Sequence, residues 1–326
     1  MKLPRRQFLR LAVGAAALPV FSRIAGAQGY PSRPVRVIVP FAPGGVTDTF
    51  GRLIAQKLTE QLGNRFFVEN VTGASGNIGT GQAAKAAPDG YTLLNAFSSL
   101  VVNPTLFDRV PYDVHKDFAP VTLAVASTTA LTVHPSVPAK TLSELVALIR
   151  ANPEKYNYGS AGTGTQNHLA GEQFRMVCGV DLVHVPFSGG APAVASVLGG
   201  HTPIGFVSSQ AAMQHVRAGT VRALAVTSKT RSQILPDVPT MTEAGYPDIE
   251  GDSWVGILAP ARTAASVIAL LHREIVKTLA LPETKEQLAT LGYDLVASTP
   301  EQFAERINFE MEFWAKVIRA ANIKPI

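Results

Sequence analysis

A chain of 326 residues is long for one hydrophobic core, so its length favours two domains of about 100–200 residues each. With 46% hydrophobic and 16% charged residues, the composition excludes a disordered chain. The net charge of +5 resides in the first 27 residues; the rest has 24 basic residues, which is 29 less five, against 24 acidic ones, and gives no support to nucleic-acid binding.

The first 27 residues have the pattern of an export signal. Basic residues that include Arg5 and Arg6 precede an apolar run over 11–21, and a small-x-small cleavage site follows at 25–27. The paired arginines are typical of the twin-arginine route, although a general export signal could also carry two arginines. The run is too short to span a bilayer. We therefore predict that 1–27 is removed and that the mature protein is periplasmic.

Three strands and two helices are predicted in the first part of the mature chain. A β-branched run at 35–39 leads into a glycine turn, and helical spacing then continues from Val46 until Gly63. A strand at 66–71, a helix ending near Ala87 and a strand at 91–97 follow. The order βαβαβ predicts an α/β fold with a doubly wound parallel sheet that binds ligands at the carboxyl ends of its strands.

The second part repeats the strand, glycine loop and helix arrangement. A strand at 156–160 is followed by the 160–165 loop and a helix, and further strands are predicted at 181–186 and 223–227. The long apolar stretch 118–134 and the strand 254–258 are predicted to cross between the domains. We therefore predict domain 1 as 28–127 plus 254–326 and domain 2 as 128–253. Cys178, the one cysteine, has no disulfide partner and is predicted to be buried.

Two glycine turns are candidate anion sites. Gly44-Gly45 and Gly162-x-Gly164 each follow a strand and precede a helix, where backbone amides are unpaired and carry partial positive charge. Side chains that could donate to a carboxylate surround these turns: Thr47, Ser98, Ser99, Asn103, Ser160, Thr163, Thr165 and His168. Asp48 and Arg52 are four residues apart and are predicted to pair on the helix surface.

Signatures of catalysis are missing from the sequence. It contains neither a G-x-S-x-G elbow nor a P-loop, and its histidines and single cysteine lack metal-site spacing, so no cofactor and no metal are predicted. His168 beside Ser160 is the best candidate for a catalytic pair. Three functions stay open: a transport receptor, which is favoured, a sensor that presents its closed form to a membrane kinase, and a periplasmic hydrolase.

The chain resembles one known family along nearly all of its mature length. The motifs are Tyr30-Pro31-Ser32-Arg33-Pro34, Val39 to Gly45 with Asp48 and Arg52, Gly73 to Gly79, Pro88-Asp89-Gly90-Tyr91, Asn157-Tyr158-Gly159-Ser160, His168-Leu169, Val185-Pro186-Phe187, Leu235 to Thr240, and Glu243-Ala244-Gly245. On these residues the chain is similar to the receptors of tripartite tricarboxylate transporters, the Bug-type periplasmic solute-binding proteins.

The resemblance implies two α/β domains of the periplasmic binding protein type, joined by two crossing strands, with a ligand cleft between the 41–45 and 160–165 loops. It implies membrane transporter subunits as partners, and we expect a monomer. Residues 205–209 lack the acidic residue with which many relatives could recognise an amino group, so we expect a carboxylate without ammonium, aliphatic or aromatic. The predicted ligand-binding residues are Phe41, Ala42, Gly44, Gly45, Thr47, Asp48, Ser98, Ser99, Asn103, Ser160, Gly162, Thr163, Thr165, His168, Pro186, Phe187 and Ser208.

Overall fold

Two mixed β-sheets organise residues 29–323, which are the residues that the computed structural model describes; the predicted export signal lies outside them. In chain order the strands are β1 (Val35–Val39), β2 (Phe66–Asn70), β3 (Thr92–Phe97), β4 (Phe118–Ser127), β5 (Thr129–Val133), β6 (Asn157–Ser160), β7 (Val183–Pro186), β8 (Ile204–Ser208), β9 (Arg222–Val226), β10 (Ser253–Pro260) and β11 (Asp294–Leu295).

Helices cover the sheets and connect most of the strands. They are α1 (Val46–Leu62), α2 (Asn77–Ala84), α3 (Ser99–Leu106), α4 (Val114–Asp117), α5 (Leu142–Ala151), α6 (Gln166–Cys178), α7 (Gly190–Leu198), α8 (Ser209–Arg217), α9 (Ala265–Ala280), α10 (Pro282–Thr290) and α11 (Pro300–Ala320), with a 3-10 turn at Ala74–Gly76. Helix α1 ends as predicted at Gly63, whose φ of 70° suits glycine. None of the described helices is long and apolar enough to cross a membrane.

The predicted parallel pairing is correct for only part of each sheet. The first sheet has the order β11-β4-β10-β3-β1-β2, and the second has the order β7-β6-β8-β5-β9. Strands β1, β2 and β3 run parallel, as do β6, β7 and β8. However, β10 is antiparallel to β3 and β4, and β5 is antiparallel to β8 and β9. Strands β5 and β10 each come directly after a point where the chain passes between the sheets, and the short strand β11 is also antiparallel, to β4.

The first predicted crossing is confirmed, and the second lies elsewhere. Strand β4 ends at Ser127 in the first sheet, and β5 begins at Thr129 in the second. Strand β10, predicted to cross, pairs with β4 along its whole length and belongs to the first sheet alone. The return crossing is made instead by residues 227–252. The crossings meet where Thr128 Oγ1 lies 3.3 Å from Thr227 Oγ1.

Each sheet has its own hydrophobic core. Trp254 and Phe303 are fully buried in the first core, whereas Tyr158 and Phe174 are fully buried in the second. Cys178 is buried in the second core, as predicted. Arg33–Ile326 form one compact unit, so the division into two domains at the predicted boundaries stays a prediction.

A candidate ligand pocket between the two sheets

A small pocket lies between the carboxyl ends of strands from both sheets. Its volume is about 160 Å³, and its described lining is uncharged. The first sheet contributes residues after β1 and β3, and the second contributes the loop after β6 and the start of α6. The lining residues are Phe41, Ser75, Phe97, Ser98, Ser99, Val102, Asn103, Leu106, Thr163, Gly164, Thr165 and Gln166.

Six of the predicted ligand-binding residues line this pocket: Phe41, Ser98, Ser99, Asn103, Thr163 and Thr165. The others build its walls or lie beside them, and their contact with a ligand stays a prediction. Sequence reasoning missed Ser75, Phe97, Val102, Leu106, Gly164 and Gln166 as lining residues. Gly164 had a signal, the Gly162-x-Gly164 turn. No sequence signal distinguished Gln166, because a polar residue directly after a helix cap is ordinary on a solvent-facing helix.

Asp48 holds the 41–45 loop in place. Its Oδ2 accepts hydrogen bonds from the Gly44 amide and from Arg52 Nε, both at 2.9 Å, and its Oδ1 accepts from Asn70 Nδ2 at 2.7 Å. Burial acts to raise the pKa of Asp48, but these bonds together lower it below its usual value. The predicted Asp48–Arg52 pair is confirmed, but Asp48 is buried, so the pair does not lie wholly on the helix surface as predicted. Asp48 therefore positions the loop from behind, outside the pocket.

The Ala42, Gly44 and Gly45 segment is exposed and does not line the pocket, whereas Phe41 does. The Phe41 ring meets Phe97 edge to face, with centroids 5.7 Å apart. Thr47 is buried, and its carbonyl accepts a hydrogen bond from Asn95 Nδ2 at 2.8 Å. The Gly44-Gly45 turn before α1, a predicted anion site, does not line the pocket. In this wall the start of α3, at Ser98 and Ser99, lines it instead.

Asn103 also has a positioning role. Its Nδ2 donates to the Ser75 carbonyl at 3.0 Å and to Asn77 Oδ1 at 2.8 Å. Ser75 lies at a φ of 53°, in a region that non-glycine residues rarely adopt. The two amide bonds of Asn103 therefore hold this turn against the pocket, and its amide hydrogens are already committed.

Internal hydrogen bonds shape the 160–165 loop. The Thr165 hydroxyl donates to the Gly162 carbonyl at 2.7 Å and accepts from the His168 amide at 3.4 Å, which caps α6. His168 Nδ1 accepts from the Gly164 amide at 3.0 Å. The proton of the neutral imidazole therefore resides on Nε2. His168, a predicted ligand contact, supports the loop from behind.

A stack of aromatic rings lies beneath this loop. The His168 and His184 rings stack with centroids 3.9 Å apart, and the Tyr158 ring stacks on His184 at 5.0 Å. Burial and the charge of Arg175 lower the pKa of His184 to about 4. Burial, His184 and Arg175 lower the pKa of His168 to about 3. Both imidazoles are therefore neutral near pH 7, and the wall adds no positive charge.

Ser160 and His168, the best candidate for a catalytic pair in the sequence, do not pair in the structure. Ser160 Oγ lies 2.7 Å from His184 Nε2 and also accepts from the Gly162 amide at 3.2 Å. Ser160 is fully buried, so its hydroxyl is out of reach of a substrate in the pocket. His168 is turned toward the Gly164 amide instead. The Ser160–His184 pair therefore supports the loop structurally.

The two walls touch across the pocket. A Cβ atom placed on Gly164 would overlap the end of the Leu106 side chain of α3, which would have to shift, and the φ of 76° at Gly164 also suits glycine. Leu169 of α6 is buried in the first core. The pocket is therefore lined by residues of both walls.

Comparison with known proteins shows the family of the chain. Residues 50–323 match the family model described as the tripartite tricarboxylate transporter family receptor. Protein BugT of Bordetella pertussis is 37% identical over 316 residues, which are 96% of this chain and 95% of BugT. The chain belongs to the tripartite tricarboxylate transporter receptor family.

Two similar solved structures hold ligands. MatC from Rhodopseudomonas palustris with bound malate is 31% identical to the receptor, with a TM-score of 0.72, over 89% of this chain and 100% of MatC. An R. palustris protein with adipate is also 31% identical, with a TM-score of 0.76, over 91% of this chain and 100% of that one. The receptor has the two-domain periplasmic binding protein fold, its family is periplasmic, and its function is solute binding without catalysis.

Pro186, Phe187 and Ser208 of the receptor lie beside the second wall. Pro186 pairs with Ser160 in the sheet, and the Phe187 amide donates to the Ser160 carbonyl at 3.0 Å. Ser208 caps α8 by accepting from the Ala211 amide at 3.3 Å. None of the three lines the pocket between the sheets, so they support the wall, and their predicted ligand contact stays a prediction.

Proposed function

We propose that this receptor captures a small carboxylate in the pocket between its two sheets and delivers it to the membrane subunits of a tripartite transporter. One observation carries the proposal: two helix starts, at Ser98-Ser99 and at Thr165-Gln166, meet in one uncharged pocket. Helix starts attract anions because their amides are unpaired and the helix dipole is positive there. Malate and adipate, each named with a similar structure, are carboxylates.

Binding is coupled to closure in this proposal. A ligand that contacts both walls binds the closed state better than the open one and so increases the closed population. The closed form is then the form that a transporter recognises. The uncharged lining also favours a ligand without ammonium, because the described pocket residues include no carboxylate to pair with one. We further propose that 1–27 is a cleaved export signal, of the twin-arginine form, and that the mature receptor is a monomer.

A thermal-shift panel of di- and tricarboxylates, aromatic acids and amino acids tests the proposal. We expect carboxylates without ammonium to raise the Tm, because a ligand at 100 times its Kd stabilises the fold by about 2.7 kcal/mol. Thr163→Trp should abolish this shift by filling the pocket from an exposed lining position. Thr290→Trp, at an exposed threonine of α10 outside the pocket, is the matched control and should keep it. Shifts by amino acids alone would contradict the proposed ligand class.

A further inference from the structure

Gln166 is a buried residue of the pocket whose side chain is uncommitted. It is the first residue of α6, directly after the Thr165 cap, and it is 4% exposed. Neither its Oε1 nor its Nε2 has a hydrogen-bond partner among the described residues. An amide buried without partners costs about 1–3 kcal/mol. A native protein that keeps such a group at a binding pocket has a reason to do so.

Two other polar side chains of the pocket are already used within its walls. The Thr165 hydroxyl makes two hydrogen bonds within its own loop, and both donors of the Asn103 amide hold the Ser75 turn. The Ser98 hydroxyl is buried and uncommitted: Ser98 stands at the cap position of α3 but makes no side-chain cap bond. Ser98 is 1% exposed and lines the pocket from the first wall. Uncommitted buried groups therefore lie on both walls.

The hydrogen-bonding capacities of these two groups differ. A carboxylate only accepts hydrogen bonds, so the Ser98 hydroxyl can satisfy it by donating. The Gln166 amide has a donor end and an acceptor end, and a carboxylate would leave the acceptor end unpaired. An ammonium group only donates and would leave the donor end unpaired. A ligand with both a hydroxyl group and a carboxylate can satisfy both ends of the amide, because the hydroxyl donates to the acceptor end while a carboxylate oxygen accepts from the donor end.

We infer that the ligand of this receptor is a hydroxycarboxylate, and that Gln166 is the residue that recognises its hydroxyl group. The inference rests on the proposed function and adds the substrate class of the same site. Both ends of the amide are uncommitted, so the argument holds for either orientation of the amide. Specificity follows because the acid that lacks the hydroxyl leaves a buried amide unpaired, a difference that binding sites discriminate strongly.

Calorimetric titration of matched acids tests the inference in the full mature receptor. The pairs are succinate with malate, glutarate with 2-hydroxyglutarate, and benzoate with 4-hydroxybenzoate. We expect the hydroxylated acid to bind at least tenfold more tightly in at least one pair. In Gln166→Met, which keeps the side-chain length without the amide, this preference should fall below threefold, with the affinity for the acid without hydroxyl nearly unchanged.

Gln166→Leu repeats the measurement in case methionine disturbs the helix start. Gln173→Met is the matched control: Gln173 is a buried glutamine of the same helix that does not line the pocket, so the preference should persist. Equal affinities within every pair, or a preference that survives both Gln166 variants, would overturn the inference while leaving the carboxylate receptor in place. Failure of every carboxylate to bind would overturn the proposed function and the inference together.

Discussion

The two walls of the pocket are positioned by different kinds of interactions. In the first wall the 41–45 loop is held by a charged carboxylate, Asp48, whose partner Arg52 is half exposed. In the second wall the 160–165 loop is held by neutral rings, His168 and His184, stacked beneath it. Both arrangements fix glycine amides without placing a net positive charge at the pocket. Protonation disturbs both arrangements, but over different pH ranges, because the unfolded-state pKa of a carboxyl group is lower than that of an imidazole.

Removal of the Asp48 carboxylate is expected to have the largest effect on stability. Asp48→Ala leaves the Gly44 amide, Asn70 and Arg52 without their shared acceptor, and the loss of a hydrogen bond to a charged group costs about 1.5–3 kcal/mol. We expect the free energy of unfolding to fall by about 2–4 kcal/mol in urea titrations. Arg52→Ala, which removes only the exposed partner, is the matched control and should cost under about 1 kcal/mol. Equal losses in the two variants would contradict the positioning role of Asp48.

Truncation of Ser160 should have a smaller effect, confined to the second wall. Ser160→Ala leaves His184 Nε2 and the Gly162 amide unpaired, at a cost of about 1–3 kcal/mol. Urea titration measures this loss, and carboxylate affinity should fall as the Gly162–Gly164 turn loosens. Ser136→Ala, at an exposed serine that also contacts a histidine ring, is the control and should change neither quantity. Unchanged stability of Ser160→Ala would show that the histidine stack does not support the loop.

The smallest expected difference between the two walls is in how their stability depends on pH. His168 has a pKa of about 3 when folded and about 6.5 when unfolded, so the unfolded state binds the proton first. Its contribution to stability is therefore complete above pH 6.5 and is lost progressively as the pH falls toward 3. Asp252, whose pKa burial raises to about 7, acts in the opposite direction over part of this range. Asp48, with its lowered pKa, responds only under more acidic conditions.

A variant isolates the contribution of His168 from those of Asp252 and of His184, whose pKa is also lowered. His168→Asn retains an acceptor for the Gly164 amide but cannot titrate. Between pH 6 and pH 5, the free energy of unfolding of the wild type should fall more steeply than that of the variant, by up to about 1.4 kcal/mol per pH unit. Urea titrations at the two pH values measure the slopes. Equal slopes would mean that His168 titrates normally in the folded protein.

Local sequence patterns predicted much of the fold and the framework of the site. Glycine turns after strands and the periodicity of α1 predicted the first sheet's βαβαβ unit and the loops that form the walls. The long 118–134 stretch predicted one crossing between the sheets. These features depend on neighbouring residues, and so the sequence carries them directly. The export signal at 1–27 lies outside the described residues and stays a prediction.

Only the tertiary structure decided which side chains are available to a ligand. The sequence determined that hydroxyl and amide residues surround two glycine loops, but it could not show that Ser160, Asn103 and Thr165 use their hydrogen bonds within the walls. It also could not distinguish Gln166 from any polar residue at a helix start. Whether a buried amide is paired depends on atoms that are distant in the chain. Residue type is local information, whereas an uncommitted hydrogen bond arises only when the two walls meet.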